Sequence, residues 1–296
     1  MKSFIFKIVS FIAVPILIYM AIGIVLKNKF INNIEKYHTI ILGDSQTEFI
    51  RFPEIYNSSI HGSPYYVHYE FVKKFIEQVK GKKIYIACNY HNFSKLYQNR
   101  LANDKLYPGW RANTFCELDK YNLVNCRYPE IRPGDLGYTF FDIKKIPRLF
   151  KEIYFSEANE NNKTTVINDT LSIQSTIKRH WYHPKYILND SIQINYLDKL
   201  IRLLNNNDCE VILLKMPLTN YYKDNVPYEV KQKLLEMESE YNVRLLDLDK
   251  ELKISHSYRY FKDYGHLNKT GDSLVADFFE KNELRKARTH NSVYKK

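Results

Sequence analysis

Three side chains of the types used in nucleophilic catalysis occur in two short segments near opposite ends of the sequence. Ser45 follows Gly43 and Asp44, whereas Asp263 and His266 lie three residues apart in the segment Asp-Tyr-Gly-His. A serine hydroxyl is a poor nucleophile until an imidazole accepts its proton, and a carboxylate beside that imidazole fixes its tautomer and stabilises its charge. The two segments therefore predict a catalytic triad, with Ser45 as nucleophile, His266 as general base and Asp263 orienting the imidazole.

Such a reaction also needs hydrogen-bond donors aimed at the oxyanion that develops in the transition state. Gly62 can offer an unhindered backbone N–H, and Asn89 can offer a side-chain amide. Asp44 and His91 are further candidates for lining the pocket. Each residue also has a structural interpretation: Gly62 can serve a tight turn, Asn89 a helix cap, and His91 can simply be exposed. A lone Gly-Asp-Ser is common in turns, and a lone Asp-x-x-His is common at a cap.

Short apolar runs precede the candidate site residues, and helical patterns alternate with them. Strands are predicted in five segments, which are His38–Leu42, Ile55–Ile60, Lys83–Cys88, Cys209–Leu214 and Val243–Leu248. Helices are predicted at Tyr66–Val79, Ile192–Leu204 and Tyr228–Tyr241, with a closing helix around Leu274–Phe279. Continuous apolar strands that alternate with helices are typical of a parallel sheet covered on both faces. The pattern predicts a three-layer α/β/α sandwich with a five-stranded parallel sheet, whose ligands bind beyond the carboxyl ends of the strands.

The alternation stops between about residues 90 and 190, which we interpret as an insertion after the third strand. Phe141–Tyr154 is its one clear helical stretch, and the Asn-rich patch Asn159–Asn168 is predicted to be disordered. Long loops within a compact domain are usually functional or disordered, so this insertion is expected to cover the site and contact the substrate. An aromatic cluster at His180–His183 could stack on a sugar ring or form a small satellite core.

An uncharged stretch of nineteen residues, Ile8–Leu26, lies near the amino terminus. As a helix it would span roughly the 30 Å hydrocarbon core of a bilayer. It exceeds the usual apolar region of a cleaved signal peptide, and no clear Ala-x-Ala site follows it. We therefore favour a transmembrane signal anchor in residues 1–30 over a cleaved signal. The expected organisation continues with one catalytic domain at 31–284 and a basic tail at 285–296.

The charge balance and the cysteines exclude several classes of protein. With 44 Lys and Arg against 33 Asp and Glu, the chain carries a formal charge of +11, which favours anionic partners. Zinc-finger spacing, RNP-type strands and compact arginine blocks are absent from the sequence, so a nucleic-acid partner is not expected. No cysteine pair has metal-binding spacing, and no metal is predicted. Cys88 and Cys209 are predicted to be buried thiols, whereas a Cys116–Cys126 disulfide is left open.

Four short blocks of the sequence resemble those of the SGNH (GDSL-like) hydrolase superfamily, in the proper order. They are Gly-Asp-Ser-Gln-Thr-Glu from Gly43, then Gly62, Asn89 and the Asp-Tyr-Gly-His segment that ends at His266. The resemblance implies a flavodoxin-like sandwich in which Ser45 attacks an ester. It also implies an oxyanion hole formed by Gly62, Asn89 and the backbone N–H of Ser45. The third block departs from the family pattern, because Ala-Cys-Asn-Tyr replaces Gly-x-Asn-Asp.

The anchor and the enlarged insertion are similar to those of extracytoplasmic SGNH proteins that modify cell-surface polymers. That resemblance implies a serine acyl esterase or O-acyltransferase that acts on a cell-envelope polysaccharide or related acylated polymer, without a cofactor. The location it implies is the cytoplasmic membrane, with a single span and an extracytoplasmic catalytic domain. The altered third block keeps a second hypothesis open, namely a catalytically silent SGNH-like domain that binds glycan or a membrane acyltransferase partner. A third hypothesis is a membrane-tethered nucleic-acid binder, which the positive charge alone suggests.

Overall fold

The computed structural model describes residues 34–102, 170–184 and 192–284, together with the isolated positions 11 and 32. Among these residues, no helix is both long enough and apolar enough to cross a membrane. Several predictions lie outside the described residues, namely the anchor Ile8–Leu26, the Cys116–Cys126 pair, the helix Phe141–Tyr154, the patch Asn159–Asn168 and the tail at 285–296. Cys88 and Cys209 are free and buried, as predicted.

The centre of the molecule is a parallel sheet, as the sequence predicts. Its strands are β1 (Thr39–Leu42), β2 (Ile55–Asn57), β3 (Lys83–Ala87), β4 (Glu210–Lys215) and β5 (Arg244–Asp247). They are arranged in the order β2-β1-β3-β4-β5, and every neighbouring pair is parallel. This is the flavodoxin-like order, in which ligands bind outside the carboxyl ends of the strands where the order reverses.

Helices are present at the predicted positions Ile192–Leu204, Tyr228–Tyr241 and around Leu274–Phe279, and the described residues also contain helices that were not predicted. The helices are α1 (Tyr65–Lys74), α2 (Ile76–Val79), α3 (Lys95–Ala102), α4 (Thr170–Trp181), α5 (Ile192–Asn205), α6 (Asn220–Asp224), α7 (Tyr228–Tyr241), α8 (Leu248–Leu252) and α9 (Lys269–Phe278). Tyr90–Phe93 and Tyr258–Tyr260 form 3-10 turns, and Phe279–Leu284 is a π-helical end. The single helix predicted at Tyr66–Val79 is wrong, because the backbone leaves the helical region at Phe75 (φ −111°, ψ 31°) and divides it into α1 and α2.

The predicted insertion contains more regular structure than the sequence analysis assigned to it. Helices α3 and α4 lie within it, so the prediction of a single helical stretch is wrong. In α4 the buried side chains Ile173, Ile177 and Trp181 recur every four residues, which is the spacing of an amphipathic helix. This spacing is visible in the sequence, but the many polar residues between these positions made the helix hard to predict.

Two apolar cores lie on opposite faces of the sheet, because successive side chains of a strand point to opposite faces. Ile40 and Leu42 of β1 join the core formed with α1, α5 and α7, whereas Ile41 between them joins the core formed with α9. In β4, Leu213 joins the first core and Leu214 joins the second. The sheet is therefore covered on both faces, as the predicted α/β/α sandwich requires.

The register of the strands places the segments that follow them at one edge of the sheet. Leu42 pairs with Ile86, Ala87 pairs with Leu214, and so β1, β3 and β4 end side by side. Beyond β2 the chain continues along β1, because the Ile60 N–H donates to the Gly43 carbonyl (3.0 Å). The segments after β1, β2 and β3, which carry the candidate site residues, therefore meet at this edge.

The packing of this core predicts a clear difference between two leucines. Leu213→Ala removes a fully buried side chain from the inner strand β4 and should lower the free energy of unfolding by about 2–5 kcal/mol. Leu235→Ala removes a side chain that is 57% exposed on α7 and should change it by less than about 0.5 kcal/mol. Urea denaturation of both variants measures the difference, and equal losses would contradict this description of the core.

Candidate active site

A continuous hydrogen-bonded path connects the two segments that the sequence analysis singled out. His266 Nε2 lies 2.7 Å from Ser45 Oγ, and His266 Nδ1 lies 2.6 Å from Asp263 Oδ2. The serine and the histidine are 221 positions apart in the chain. The imidazole side chain is 26% exposed, so the path reaches the molecular surface. The structure thus brings the predicted triad residues together within hydrogen-bonding distance.

The segment that carries Asp263 and His266 is held in a tight turn by its own side chain. Asp263 Oδ1 accepts the backbone N–H groups of Gly265 (3.0 Å) and His266 (2.8 Å). The Tyr264 carbonyl accepts both the N–H (2.9 Å) and the hydroxyl (3.1 Å) of Thr219, which fixes the turn to the segment after β4. The imidazole is therefore held on one side by its own turn and on the other by the loop beyond the sheet.

Gly265 is needed in this turn because of the close approach of the nucleophile segment. A Cβ atom built at this position would overlap the side-chain amide of Gln46 and the side chain of Leu218. Glycine removes that overlap, since it lacks a Cβ atom. Gln46 directly follows the nucleophile, so the glycine lets the two halves of the triad approach each other.

The nucleophile lies in a turn directly after β1. Asp44 Oδ1 accepts the Gln46 N–H (2.9 Å), so the aspartate side chain spans Ser45. The Thr47 N–H and hydroxyl both donate to the Asp44 carbonyl (3.1 Å each), which closes the turn. Within the described residues the Ser45 N–H donates no hydrogen bond. The part of this N–H in an oxyanion hole, which the resemblance implies, stays a prediction.

The charge states of the pair favour a general base. Burial alone would lower the pKa of His266, but the hydrogen bond and the charge of Asp263 raise it above its usual value. Burial alone would raise the pKa of Asp263, but the same bond to His266 lowers it. Asp263 therefore stays ionised at neutral pH, and it stabilises the imidazolium that forms when His266 accepts a proton.

Asp44 and His91, the two candidate pocket residues, do not line an open pocket. Both are 1% exposed, and His91 Nε2 lies 2.6 Å from Asp44 Oδ2. Burial would raise the pKa of Asp44, but the neighbouring His91 holds it well below its usual range. A buried carboxylate needs such partners because an unpaired buried charge is very unfavourable. The pocket prediction is therefore wrong for both residues, and so is the alternative that His91 is exposed.

Gly62 has the backbone conformation that its type suggests. Its φ angle is +66°, a left-handed region that favours glycine, and the residue is buried. It lies two residues beyond Ile60, which bonds to the Gly43 carbonyl at the start of the nucleophile segment. This confirms the tight-turn interpretation. Its part in an oxyanion hole stays a prediction.

Asn89 is more constrained than the sequence analysis expected. Its side-chain amide donates to the Gln46 Oε1 atom (3.0 Å) and to the Met216 carbonyl (2.9 Å), which uses both amide hydrogens. Its side-chain oxygen accepts the Tyr90 N–H (2.9 Å), and Asn92 completes a capping box around this 3-10 turn. The cap interpretation is confirmed. A role for the Asn89 amide in the oxyanion hole stays a prediction, and it requires the release of one of these bonds.

Four residues of the site environment were not anticipated, namely Gln46, Asn92, Tyr97 and Met216. The spacing of Asn89 and Asn92 follows the capping-box pattern and could have identified Asn92. Gln46, Tyr97 and Met216 act through contacts with residues far away in the sequence, and no local signal marks them. Met216 takes part through its backbone carbonyl, which any residue type supplies.

The aromatic cluster at His180–His183 was expected either to stack on a sugar ring or to form a small satellite core, and its residues differ in this respect. His180 and Trp181 are buried beside Tyr222 and Tyr264, which makes them part of a satellite core. Tyr182 is 64% exposed. Within residues 34–102, 170–184 and 192–284, no cluster of His, Cys, Asp and Glu has the arrangement of a metal site.

The raised pKa of His266 leads to a testable difference. An NMR titration of the His266 ring should give a pKa above the usual value of about 6.5. Asp263→Asn removes the charge that raises it, so the pKa should fall relative to the wild-type chain. Asp208→Asn, in the exposed turn before β4 at the opposite edge of the sheet, serves as the control and should leave it unchanged. Equal titration curves for Asp263→Asn and the wild type would contradict the pairing.

No family model matches the sequence, and no curated protein matches it. Among solved structures, the chain is similar to a GDSL-like lipase from Bacteroides thetaiotaomicron, with 10% identity and a TM-score of 0.39 over 83% of this chain and 89% of the other. It is also similar to a lipase/acylhydrolase from Enterococcus faecalis, with 11% identity and a TM-score of 0.36 over 82% of this chain and 93% of the other.

Proposed function

We propose that this chain is an SGNH-type serine acyl esterase or O-acyltransferase. The observation that carries the proposal is the continuous path from Ser45 Oγ through the His266 ring to Asp263. Nucleophile, base and orienting carboxylate are each within hydrogen-bonding distance of the next, which is the geometric requirement for a triad. The order of the three residues along the chain is immaterial, because a triad is defined by geometry and roles.

In the proposed reaction, Ser45 Oγ attacks the carbonyl carbon of an ester while His266 Nε2 accepts the hydroxyl proton. The negative charge moves to the carbonyl oxygen, where the Ser45 N–H can donate a hydrogen bond. Collapse of the tetrahedral intermediate breaks the ester C–O bond, and His266 returns the proton to the leaving alcohol. The acyl group then remains on Ser45. Attack by water gives a carboxylic acid, whereas attack by a sugar hydroxyl gives a new ester, and both restore the free serine.

The proposed substrate is a cell-envelope glycan or a related acylated polymer. Three features support this choice: the predicted anchor at Ile8–Leu26, the predicted insertion at about residues 90–190, and the net charge of +11 that favours anionic surfaces. The exposed Tyr182 ring at the carboxyl end of α4 could stack on a sugar. The proposed location is the outer side of the cytoplasmic membrane, with the domain tethered by a single span.

One observation favours a second candidate function. Both hydrogens of the Asn89 amide are already used by Gln46 and Met216, so in this conformation that side chain offers no N–H to an oxyanion. Loss of one oxyanion donor typically lowers the rate about 100- to 1000-fold. A catalytically silent SGNH-like domain, which binds glycan or a membrane acyltransferase partner, would tolerate this arrangement.

Ester hydrolysis by the purified full-length chain separates the two candidates. Ser45→Ala should lower the turnover of p-nitrophenyl acetate by at least about 1000-fold, because the acyl-enzyme can no longer form. Ser239→Ala, which changes an exposed serine on α7, is the matched control and should leave turnover unchanged. Turnover that is the same in the wild type and in Ser45→Ala would exclude the esterase and favour the silent domain. Adding an acetylated glycan or a free glycan acceptor then compares hydrolysis with transfer.

The proposed anchor has a separate test. Deletion of residues 1–30 should move the expressed chain from the membrane fraction to the soluble fraction, because the apolar span is lost. Membrane and soluble fractions are compared by immunoblotting after alkaline extraction. The wild-type chain, as the control, should resist that extraction and retain its full mass. A wild-type chain found shortened in the soluble fraction would instead indicate a cleaved signal.

A further inference from the structure

The carboxylate directly before the nucleophile is the most heavily hydrogen-bonded side chain near the site within the described residues. Asp44 Oδ2 accepts three donors, which are His91 Nε2 (2.6 Å), Asn92 Nδ2 (2.8 Å) and Tyr97 Oη (3.2 Å). Its other oxygen, Oδ1, accepts the Gln46 N–H across Ser45 (2.9 Å). The carboxylate therefore connects the turn that carries the nucleophile with the segment that supplies His91, Asn92 and Tyr97.

All three donors to Asp44 Oδ2 come from the first two turns of the insertion. His91 and Asn92 lie in the 3-10 turn Tyr90–Phe93, and Tyr97 lies in α3. These turns are themselves fixed, since Asn92 Oδ1 accepts the Asn89 N–H (2.8 Å) and the Tyr97 carbonyl accepts the Gln193 side chain (3.1 Å). The donors are thus attached to β3 on one side and to α5 on the other.

Helix α4, near the other end of the insertion, packs against His91. In α4, the His180 ring stacks on the His91 ring at 6.3 Å and an interplanar angle of 29°. Tyr264 contacts both rings, at 6.1 Å from His91 and 5.1 Å from His180. The Tyr264 ring also lies 6.0 Å from the ring of His266. One continuous buried cluster therefore contacts the nucleophile turn and the turn that carries the general base.

We propose that Asp44 and His91 are positioning residues that hold Ser45 in the geometry that His266 requires. This inference rests on the proposed function and adds a role for the base of the insertion. The Asp44 carboxylate closes the turn around Ser45, and His91 holds the carboxylate in place. A misplacement of about 1 Å can lower the rate of an enzyme about 100-fold. Neither residue touches the substrate, because both are buried behind the nucleophile.

The alternative is that the pair only stabilises the fold, and two tyrosines provide a matched comparison. Tyr97→Phe removes a hydroxyl that donates to the buried carboxylate of Asp44. Tyr85→Phe removes a hydroxyl that donates to the buried carboxylate of Glu283, in the core on the other face of the sheet. Each variant loses a hydrogen bond from a tyrosine hydroxyl to a buried carboxylate, but only the bond of Tyr97 belongs to the nucleophile turn.

Steady-state kinetics with p-nitrophenyl acetate, together with the melting temperature of each full-length variant, tests the proposal. His91→Gln should lower kcat up to about 100-fold and Tyr97→Phe should lower it several-fold, with KM changed less than about two-fold in both. Tyr85→Phe should keep the wild-type kcat even if its melting temperature falls. The proposal is overturned if kcat follows the melting temperature equally in all three variants, or if His91→Gln and Tyr97→Phe keep the wild-type kcat.

A second readout works even if the chain hydrolyses no ester. In Ser45→Cys, the rate of alkylation by iodoacetamide is measured by mass spectrometry of the peptide that carries residue 45. Adding His91→Gln should slow this alkylation, because a displaced thiol loses its contact with His266, whereas adding Tyr85→Phe should not. Slowed alkylation without any ester turnover in the wild type would refute the proposed function and retain the positioning role. Unchanged alkylation in both double variants would refute the positioning role.

Discussion

The hydrogen bond between His266 and Ser45 depends on one constraint, which is that parallel strands end at a common edge of the sheet. The nucleophile turn follows β1. The adjacent strand β3 is followed by the segment in which Asn89 and His91 lie, at the start of the insertion. The base arrives from the opposite end of the chain, on a turn fixed to the loop after β4. A shift of one residue in the register of these strands would move each of these segments and reverse the faces of their side chains.

The site is supported by buried polar groups in place of an apolar shell. Asp44, Asn89, His91 and Asn92 are all buried, and their hydrogen bonds are made mainly to one another and to nearby backbone groups. Such a network is favourable to the extent that its members are satisfied, because an unpaired polar group in a medium of low dielectric constant is costly. Most of its polar atoms have partners, whereas the buried atoms His91 Nδ1 and Gln46 Nε2 have none within the described residues. Because hydrogen bonds need defined donor and acceptor directions, the network also fixes the orientation of the groups that it joins. It specifies where the Ser45 turn lies, which apolar packing alone would leave less defined.

The elements of this fold that local sequence patterns define are the ones that could be predicted. The five strands and α7 were located closely, because apolar runs and helical periodicity are local properties of the chain. Helix α4 was missed although its buried positions are regularly spaced, since its polar residues outnumber its apolar ones. The interruption of the helix at Phe75 was also not predicted, because the helical spacing of apolar residues in Tyr66–Val79 continues through it. Asp44 and His91 were given as candidates for lining the pocket, since residue type and position do not report burial.

What the sequence by itself determined was the α/β class, the strand ends at which chemistry could occur, and the three residue types of a triad. These features depend on short motifs and on periodicity, and neighbouring residues are enough to define them. Only the tertiary structure decided which groups share hydrogen bonds. Asn89 donates to Met216, 127 positions away, and His91 pairs with Asp44, 47 positions away. The partners of a polar side chain are set by the packing of the whole sheet, which no short stretch of sequence contains.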